Sequence, residues 1–315
     1  MMKIAEIANL IKNLKSTLIF THINPDGDTL SCAFALKYAL EKLNIKADIV
    51  CSCGVPKKFE ITKLFGDFLS DAKGSYDACI AVDCSSEGQM GEPYKYFSRQ
   101  KNTFNIDHHI SNTRYAKYNY VCGYAANIIN IYELILALGV EIDEYLANTL
   151  MLGLITDTGN FAHSNTDTKA FNVAAELSGK GANASRLNLL LFKNQPLARA
   201  KLYLEVMQKI RFYEGGSVTL ILITQEMLNK FGLDRSDTEG FIDFPMSIAG
   251  VEVGISVFET RHKLYRISFR SKQVNVNEIA SFFGGGGHIN ASGAVIAGSF
   301  EEVEDKLIST IKRYI

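Results

Sequence analysis

The chain has 315 residues, 47% hydrophobic and 21% charged, and its 33 basic and 34 acidic residues leave a net charge of −1. That balance excludes collagen-like, low-complexity and wholly disordered chains, and it opposes stable duplex-DNA binding, which needs a broad basic face. The length predicts two domains that need no disulfide or structural metal to fold.

Ile4, Ile7, Ile11 and Leu14 follow helical spacing with polar residues between them, so the N-terminus reads as a surface helix and not as a signal peptide. No run of about 18 apolar residues occurs, so no membrane contact is expected and the location expected is cytoplasmic. Thr17–Phe20 predicts a short strand, and Asp28–Leu43 a helix with Leu30, Phe34, Leu36 and Leu40 on a broad apolar face. Ala47–Cys51, Ala78–Val82 and Thr103–Ile106 predict further strands. This alternation predicts an α/β fold, a parallel sheet with helices on both faces. Residues 124–157 and roughly 167–213 read as mostly helical, with Pro196 near a helix start.

The texture changes at Glu214-Gly215-Gly216. Strand patterns follow at Val218–Ile223, Val251–Phe258 and Leu264–Phe269, then a Gly-rich loop and an amphipathic helix over about 300–313. The expected division is a larger domain over 1–185, a helical linker over 186–214 and a smaller α/β domain over 215–315. The six cysteines all lie in the first 122 residues without a C-x-x-C pair, which excludes zinc-ribbon and thioredoxin motifs and predicts reduced, mostly buried thiols.

Four motifs in the first half carry chemistry. His22-Ile23-Asn24-Pro25-Asp26-Gly27-Asp28 directly follows the first strand. In open α/β sheets, ligands bind beyond the carboxyl ends of strands. One imidazole and two carboxylates there suit Mn²⁺ or a related divalent ion, with Mg²⁺ or another divalent ion as substitutes. Equally, Asp28 could N-cap the next helix while Asp26 shapes the turn. Asp83 ends the ACIAV strand, and Asp107-His108-His109 ends the next. Two adjacent histidines point different ways, so one can ligate a metal while the other meets substrate. Asp157 lies in an apolar segment, where a carboxylate is costly unless paired or metal-bound. Together these donors suffice for two divalent ions sharing a carboxylate, an arrangement suited to hydrolysis at phosphorus.

The motifs HINPDGD, AVDCS, NIDHHISN and LITDTGNF, in that order, resemble the DHH phosphoesterase family. Phe269-Arg270-Ser271-Lys272, Val276-Asn277-Glu278-Ile279-Ala280, Gly284-Gly285-Gly286-Gly287-His288 and Ala291-Ser292-Gly293 resemble the C-terminal substrate-binding domain of its NrnA group. The resemblance implies two Mn²⁺ per chain. His22, Asp26 and Asp83 would hold one, and Asp28, Asp83, His108 and Asp157 the other, with Asp83 bridging. His109 would face the scissile phosphate, so Asp83 and His109 are the catalytic pair it implies. The implied substrates are very short single-stranded RNA, cut to mononucleotides, and 3′-phosphoadenosine 5′-phosphate (pAp), converted to AMP and phosphate. A homodimer is compatible with this reading. Alternatives are hydrolysis of linear or cyclic dinucleotides, a family II inorganic pyrophosphatase, and a non-catalytic RNA-binding module. The chain departs from the family pattern at Ser31-Cys32 and at Ala162, where many relatives have Gly-Ser and Arg. The stretch around Tyr124, Asn127 and Ile129 also lacks the Ser/Thr and Glu common in relatives.

Between Arg261 and Lys272 stand five Lys/Arg residues, one His and no acid. Strand alternation puts Arg266, Ser268, Arg270 and Lys272 on one face, with Tyr265, Ile267 and Phe269 on the other. The apolar face can pack while the basic face meets phosphates. The following glycines exclude a helix interior and offer close backbone approach and exposed N–H groups. Arg270, Lys272, Gly285, Gly286, Gly287 and His288 are therefore the expected substrate contacts, besides His109. His163 and His262 are expected to be surface or structural residues.

Overall fold

A computed structural model describes residues 2–72 and 74–315. They form two compact units, one ending at Asn194 and one beginning at Gln195. The first unit runs α1 (Ile4–Lys12), β1 (Ser16–Phe20), α2 (Gly27–Lys42), β2 (Lys46–Val50), α3 (Lys57–Glu60), β3 (Ala78–Val82), α4 (Tyr94–Phe97), β4 (Thr103–Asp107), β5 (Tyr118–Val121), α5 (Asn127–Leu138), α6 (Glu144–Asp157), α7 (Thr168–Gly179) and α8 (Ala184–Phe192). Its strands are all parallel, in the order β2-β1-β3-β4-β5.

Alternate residues of each strand feed two cores. Ile19, Ile80, Val82, Phe104 and Ile106 join the main core with α1, α2, α5 and α6. Leu18, Phe20, Cys79 and Ala81 meet Met90 and Phe97 in a thinner layer. The parallel sheet is as expected, but its helices are unequal: the long ones crowd one face, and the α4 region closes the other. Edge strand β5 reads Tyr-Asn-Tyr-Val and has no apolar run, which hides it from pattern reading. Gly139, at φ 76°, ends α5 and breaks the helical stretch before α6.

Asp143 N-caps α6 through Leu146 N–H at 3.0 Å, while Tyr38 and Lys42 of α2 donate to its second oxygen at 2.8 and 2.6 Å. Burial pushes its carboxyl up, but these donors outweigh burial and hold it below the usual carboxylate range. Asp143→Ala is expected to lower stability by about 1–2 kcal/mol, read as a shifted urea midpoint. Because the folded carboxyl is the more acidic, the wild-type advantage is full at neutral pH. It fades as pH falls through the depressed value.

The second unit runs α9 (Leu197–Gln208), β6 (Arg211–Tyr213), β7 (Val218–Ile223), α10 (Gln225–Phe231), α11 (Asp243–Ser247), β8 (Val253–Arg261), β9 (Leu264–Ser271), α12 (Val276–Phe282), β10 (Gly286–His288), β11 (Ala291–Ala297) and α13 (Phe300–Ile311). Its sheet has the order β10-β11-β9-β8-β7-β6, antiparallel except for β7 with β8. One face is covered by α12 and α13 through Val276, Ile279, Val303 and Leu307. On the other face Leu202, Leu228 and Phe241 cover Ile221, Ile223 and Phe258, and β9, β11 and β10 keep exposed side chains.

The Gly-rich segment expected to be a loop is thus partly a hairpin, β10 against β11. Its small residues hide the strand pattern. Residues 186–214 hold most of α8 and all of α9, with Leu187 in the first unit's core and Leu202 and Val206 in a core of the second. All six cysteines are free, four of them buried. Among the described residues, no helix is long and apolar enough to cross a membrane.

Candidate active site

The strand order steps from β1 to β2 on one side and to β3 on the other, a topological switch point at the carboxyl ends. His22 follows β1, Asp83 follows β3, and His108 and His109 follow β4. They line an open pocket of ≈ 350 Å³ with Asp26, Asp157 and the turn Ser86–Gln89, and no lysine or arginine lines it among the described residues.

Two sets of donors converge there. The ligand atoms of His22, Asp26 and Asp83 lie within 4.8 Å of one another, and so do those of Asp28, His108 and Asp157. Asp83 stands between the sets. Its Oδ1 lies 3.6 Å from His108 Nε2, and its Oδ2 lies 3.8 Å from His22 Nε2. His108 Nε2 is 3.9 Å from Asp157 Oδ2, while its Nδ1 donates to the Tyr124 carbonyl at 3.0 Å. That bond leaves the Nε2 lone pair facing the carboxylates, the usual preparation of a ligating imidazole.

The electrostatics call for a cation. Asp83 Oδ1 is buried and accepts no hydrogen bond. Burial first, then the charge of Asp26, pushes the Asp83 carboxyl up to about 6. Burial likewise raises Asp157, and it holds Asp28 well above the carboxylate range with help from Asp83 and Asp157. Converging carboxylates with an unsatisfied buried acceptor and imidazole nitrogen are the donor chemistry of a divalent-ion site.

Asp28 does not cap its own helix. Asp26 does, accepting Thr29 N–H at 3.0 Å. The buried Asp28 carboxylate instead accepts Asn127 N–H at 2.6 Å and Ile128 N–H at 3.0 Å, capping α5 from outside. Ala126, the residue before α5, offers no side-chain cap of its own. Asn127 and Asn130 then tie α5 to β4 by donating to the carbonyls of Ile106 and Asp107, both at 3.0 Å. That is the part played by the stretch after Tyr124.

The two histidines diverge. His109 Nδ1 is 2.8 Å from Asp107 Oδ1, and Asn112 donates to Asp107 Oδ2 at 2.6 Å. The bond to Asp107 is the main reason His109 is pushed up to about 9. Burial pushes the Asp107 carboxyl up, but the bond and charge of His109, the bond from Asn112 and the charge of His108 together lower it. His109 Nδ1 lies 3.8 Å from Asp83, but Asp107 engages it.

Some site residues escaped the sequence reading. Thr29 donates to Asp83 and lies 2.6 Å from His22 Nε2, linking two strand ends. Asn112 holds Asp107. Gly153 makes room for Asp28, since a Cβ there would lie 2.9 Å from Asp28 Oδ1. The available signals were Thr29 one residue after the acidic turn and a glycine inside a helical pattern. His163 sits over Gly159, with Nδ1 3.2 Å from the Asp157 carbonyl, and is exposed, as is His262.

In the second unit, Tyr265, Ile267 and Phe269 are buried, while Arg266 and Arg270 are exposed on the opposite face. His288, Ala291, Arg270 and Gly254 stand opposite one another across four strands, so they share that face. Gly286, Gly293, Ser268 and Ser256 form the next row. Small residues thus floor a platform between His288 and Arg270. Lys272 lies beyond the end of β9, so the strand-face reading stops at Arg270. The glycine N–H groups are not free as expected. Gly285 donates to the Ala280 carbonyl and Gly287 to Asn277 Oδ1, each at 2.8 Å. The run's role is close approach: a Cβ on Gly285 would meet the Gly293 carbonyl at 2.1 Å.

Comparisons follow the same division. Residues 16–154 match the DHH family, N-terminal domain, and residues 218–315 match the DHHA1 domain. A Thermus thermophilus protein named bifunctional oligoribonuclease and PAP phosphatase NrnA is 28% identical over 98% of this chain and 94% of its own. A Bacillus subtilis protein of the same name is 25% identical, over 98% and 97%. The crystal structure of an exopolyphosphatase-related protein from Bacteroides fragilis superposes with a TM-score of 0.90 at 22% identity, covering 99% of this chain and 96% of that one. That likeness is one of fold.

Proposed function

This chain joins a DHH family N-terminal domain to a DHHA1 domain, and from that premise we propose that it is a metal-dependent phosphoesterase of short oligoribonucleotides and pAp. The observation that carries the chemistry is the unsatisfied, buried Oδ1 of Asp83 among three further carboxylates and His108. The names of the Thermus and Bacillus relatives support the substrate class.

His22, Asp26 and Asp83 would hold one divalent ion, and Asp28, Asp83, His108 and Asp157 a second, with Mn²⁺ the metal favoured by the mixed N/O donors. Such ions supply an acidified water and charge compensation for phosphoryl oxygens. The chain's own residues do the rest. Tyr124 orients His108 through Nδ1, and Asp28 fixes the start of α5 relative to α2. Asp107, held by Asn112, keeps His109 oriented at the pocket wall, where its Nε2 edge can meet a phosphate oxygen. In the second unit, Arg270 and His288 bind a nucleotide phosphate over the small-residue platform.

The test incubates purified protein and Mn²⁺ separately with pAp, a short 5′-labelled RNA and pyrophosphate. The expected products are AMP with phosphate from pAp, and mononucleotides from RNA. Cleavage of pyrophosphate alone would overturn the substrate assignment. Asn112→Ala is expected to lower kcat on pAp by about 10–100-fold with Mn²⁺ content unchanged, because it loosens Asp107 and hence His109 but touches no proposed ligand. Steady-state kinetics and metal analysis check this.

A further inference from the structure

The exposed half-face of the second sheet carries a pair of cations that the platform at Arg270 does not use. Arg266 lies directly opposite Phe258 in the β8–β9 register. Arg235, from the turn after α10, places its guanidinium carbon 5.9 Å from the centre of the Phe258 ring. Burial, and then the charge of Arg266, holds Arg235 below the usual arginine range. Among the described residues, no carboxylate comes within ion-pair distance of Arg235 or Arg266. Two guanidiniums held near each other without an acid are repulsive, an arrangement that an anion relieves. The cation–π approach to Phe258 favours the Arg235 guanidinium on the Phe258 side, beside Arg266.

Spacing indicates which anion fits. Arg266 and Arg270 point to the same side of β9, four residues or about 13 Å apart. That exceeds the step between neighbouring phosphates of an extended single strand, and pAp cannot span it. Between them lie Ser268 and, on β11, Gly293, with no large side chain to block a sugar–phosphate chain. We propose that Arg235 and Arg266 form a second phosphate subsite that holds a distal backbone phosphate of oligoribonucleotides and favours them over pAp. This rests on reading the chain as an oligonucleotide hydrolase.

The test compares wild type with Arg235→Gln, Arg266→Gln and the double variant, using pAp and a five-nucleotide RNA. In the double variant, kcat/KM for the pentanucleotide relative to pAp is expected to fall roughly tenfold, mainly through KM. Binding of the labelled pentanucleotide, read by anisotropy with the full chain, should become less salt-dependent by about 0.7 in log–log slope per lost contact. Arg266→Lys should recover part of the loss. An unchanged substrate ratio with an unchanged slope would overturn the subsite. If wild type hydrolyses neither substrate, the enzymatic reading fails, and anisotropy alone decides: binding weakened by the double variant supports the subsite, and unaltered or absent binding overturns it.

Discussion

Asp83→Asn is expected to reduce hydrolysis of both pAp and short RNA by at least about 10³-fold while leaving the fold intact. The choice of Asn over Ala follows from the backbone. Asp83 has φ 57°, in the left-handed region, where Asn is far better tolerated than a residue without a short polar side chain. Asparagine keeps one oxygen to accept from Thr29. It loses the charge and the second acceptor, the one buried with no partner. A neutral amide cannot link the two donor sets, so the loss should appear in kcat and in Mn²⁺ content together. Circular dichroism and kinetics check the variant. Retained turnover above one percent of wild type would remove Asp83 from the centre of the chemistry.

The site was legible because a parallel sheet sends every carboxyl end to one side. Once TLIF, ACIAV and TFNI were read as strands, His22, Asp83 and His108 had to meet. Asp28 and Asp26 were harder: both are acids at the start of α2, and a shift of one or two residues along a helix changes which side chain turns inward. The tertiary partner of Asp28, the uncapped start of α5, lies about a hundred residues away. No local pattern announces it. Thr29 and Asn112 were hidden for a similar reason, since a hydroxyl or amide near an acidic motif is common and only its partners make it informative. In the second unit, β10 and β11 consist of Gly, Ala and Ser beside few large side chains. Hydrophobic alternation is weak where close backbone approach is what the sheet requires. The cations Arg235 and Arg266 lie in different elements and come together only through the register that sets Phe258 opposite Arg266.

The metal should also appear in stability. Asp26, Asp28, Asp83 and Asp157 face one pocket region whose lining, among the described residues, contains no lysine or arginine. Without a cation, their mutual repulsion destabilises the fold, and an ion that binds only the folded state offsets it. At a hundredfold excess over Kd, one site contributes about 2.7 kcal/mol, which for a unit of this size raises Tm by roughly 5–10 °C. Asp157→Asn and Asp28→Asn separate repulsion from packing. Among the described residues, the Asp157 carboxylate has the 3.9 Å approach of His108 as its one side-chain ion-pair contact, so removing its charge removes repulsion and little else. Metal-free Asp157→Asn is therefore expected to melt at or above wild type, while the rise on adding Mn²⁺ shrinks by more than half. Asp28→Asn should instead melt below wild type without metal, because its amide turns an N–H₂ toward one of the two N–H groups that start α5. Calorimetry with and without Mn²⁺ distinguishes the cases. A full Mn²⁺-dependent rise in Asp157→Asn would mean that its carboxylate does not hold the ion, and that the acidic cluster serves some other end.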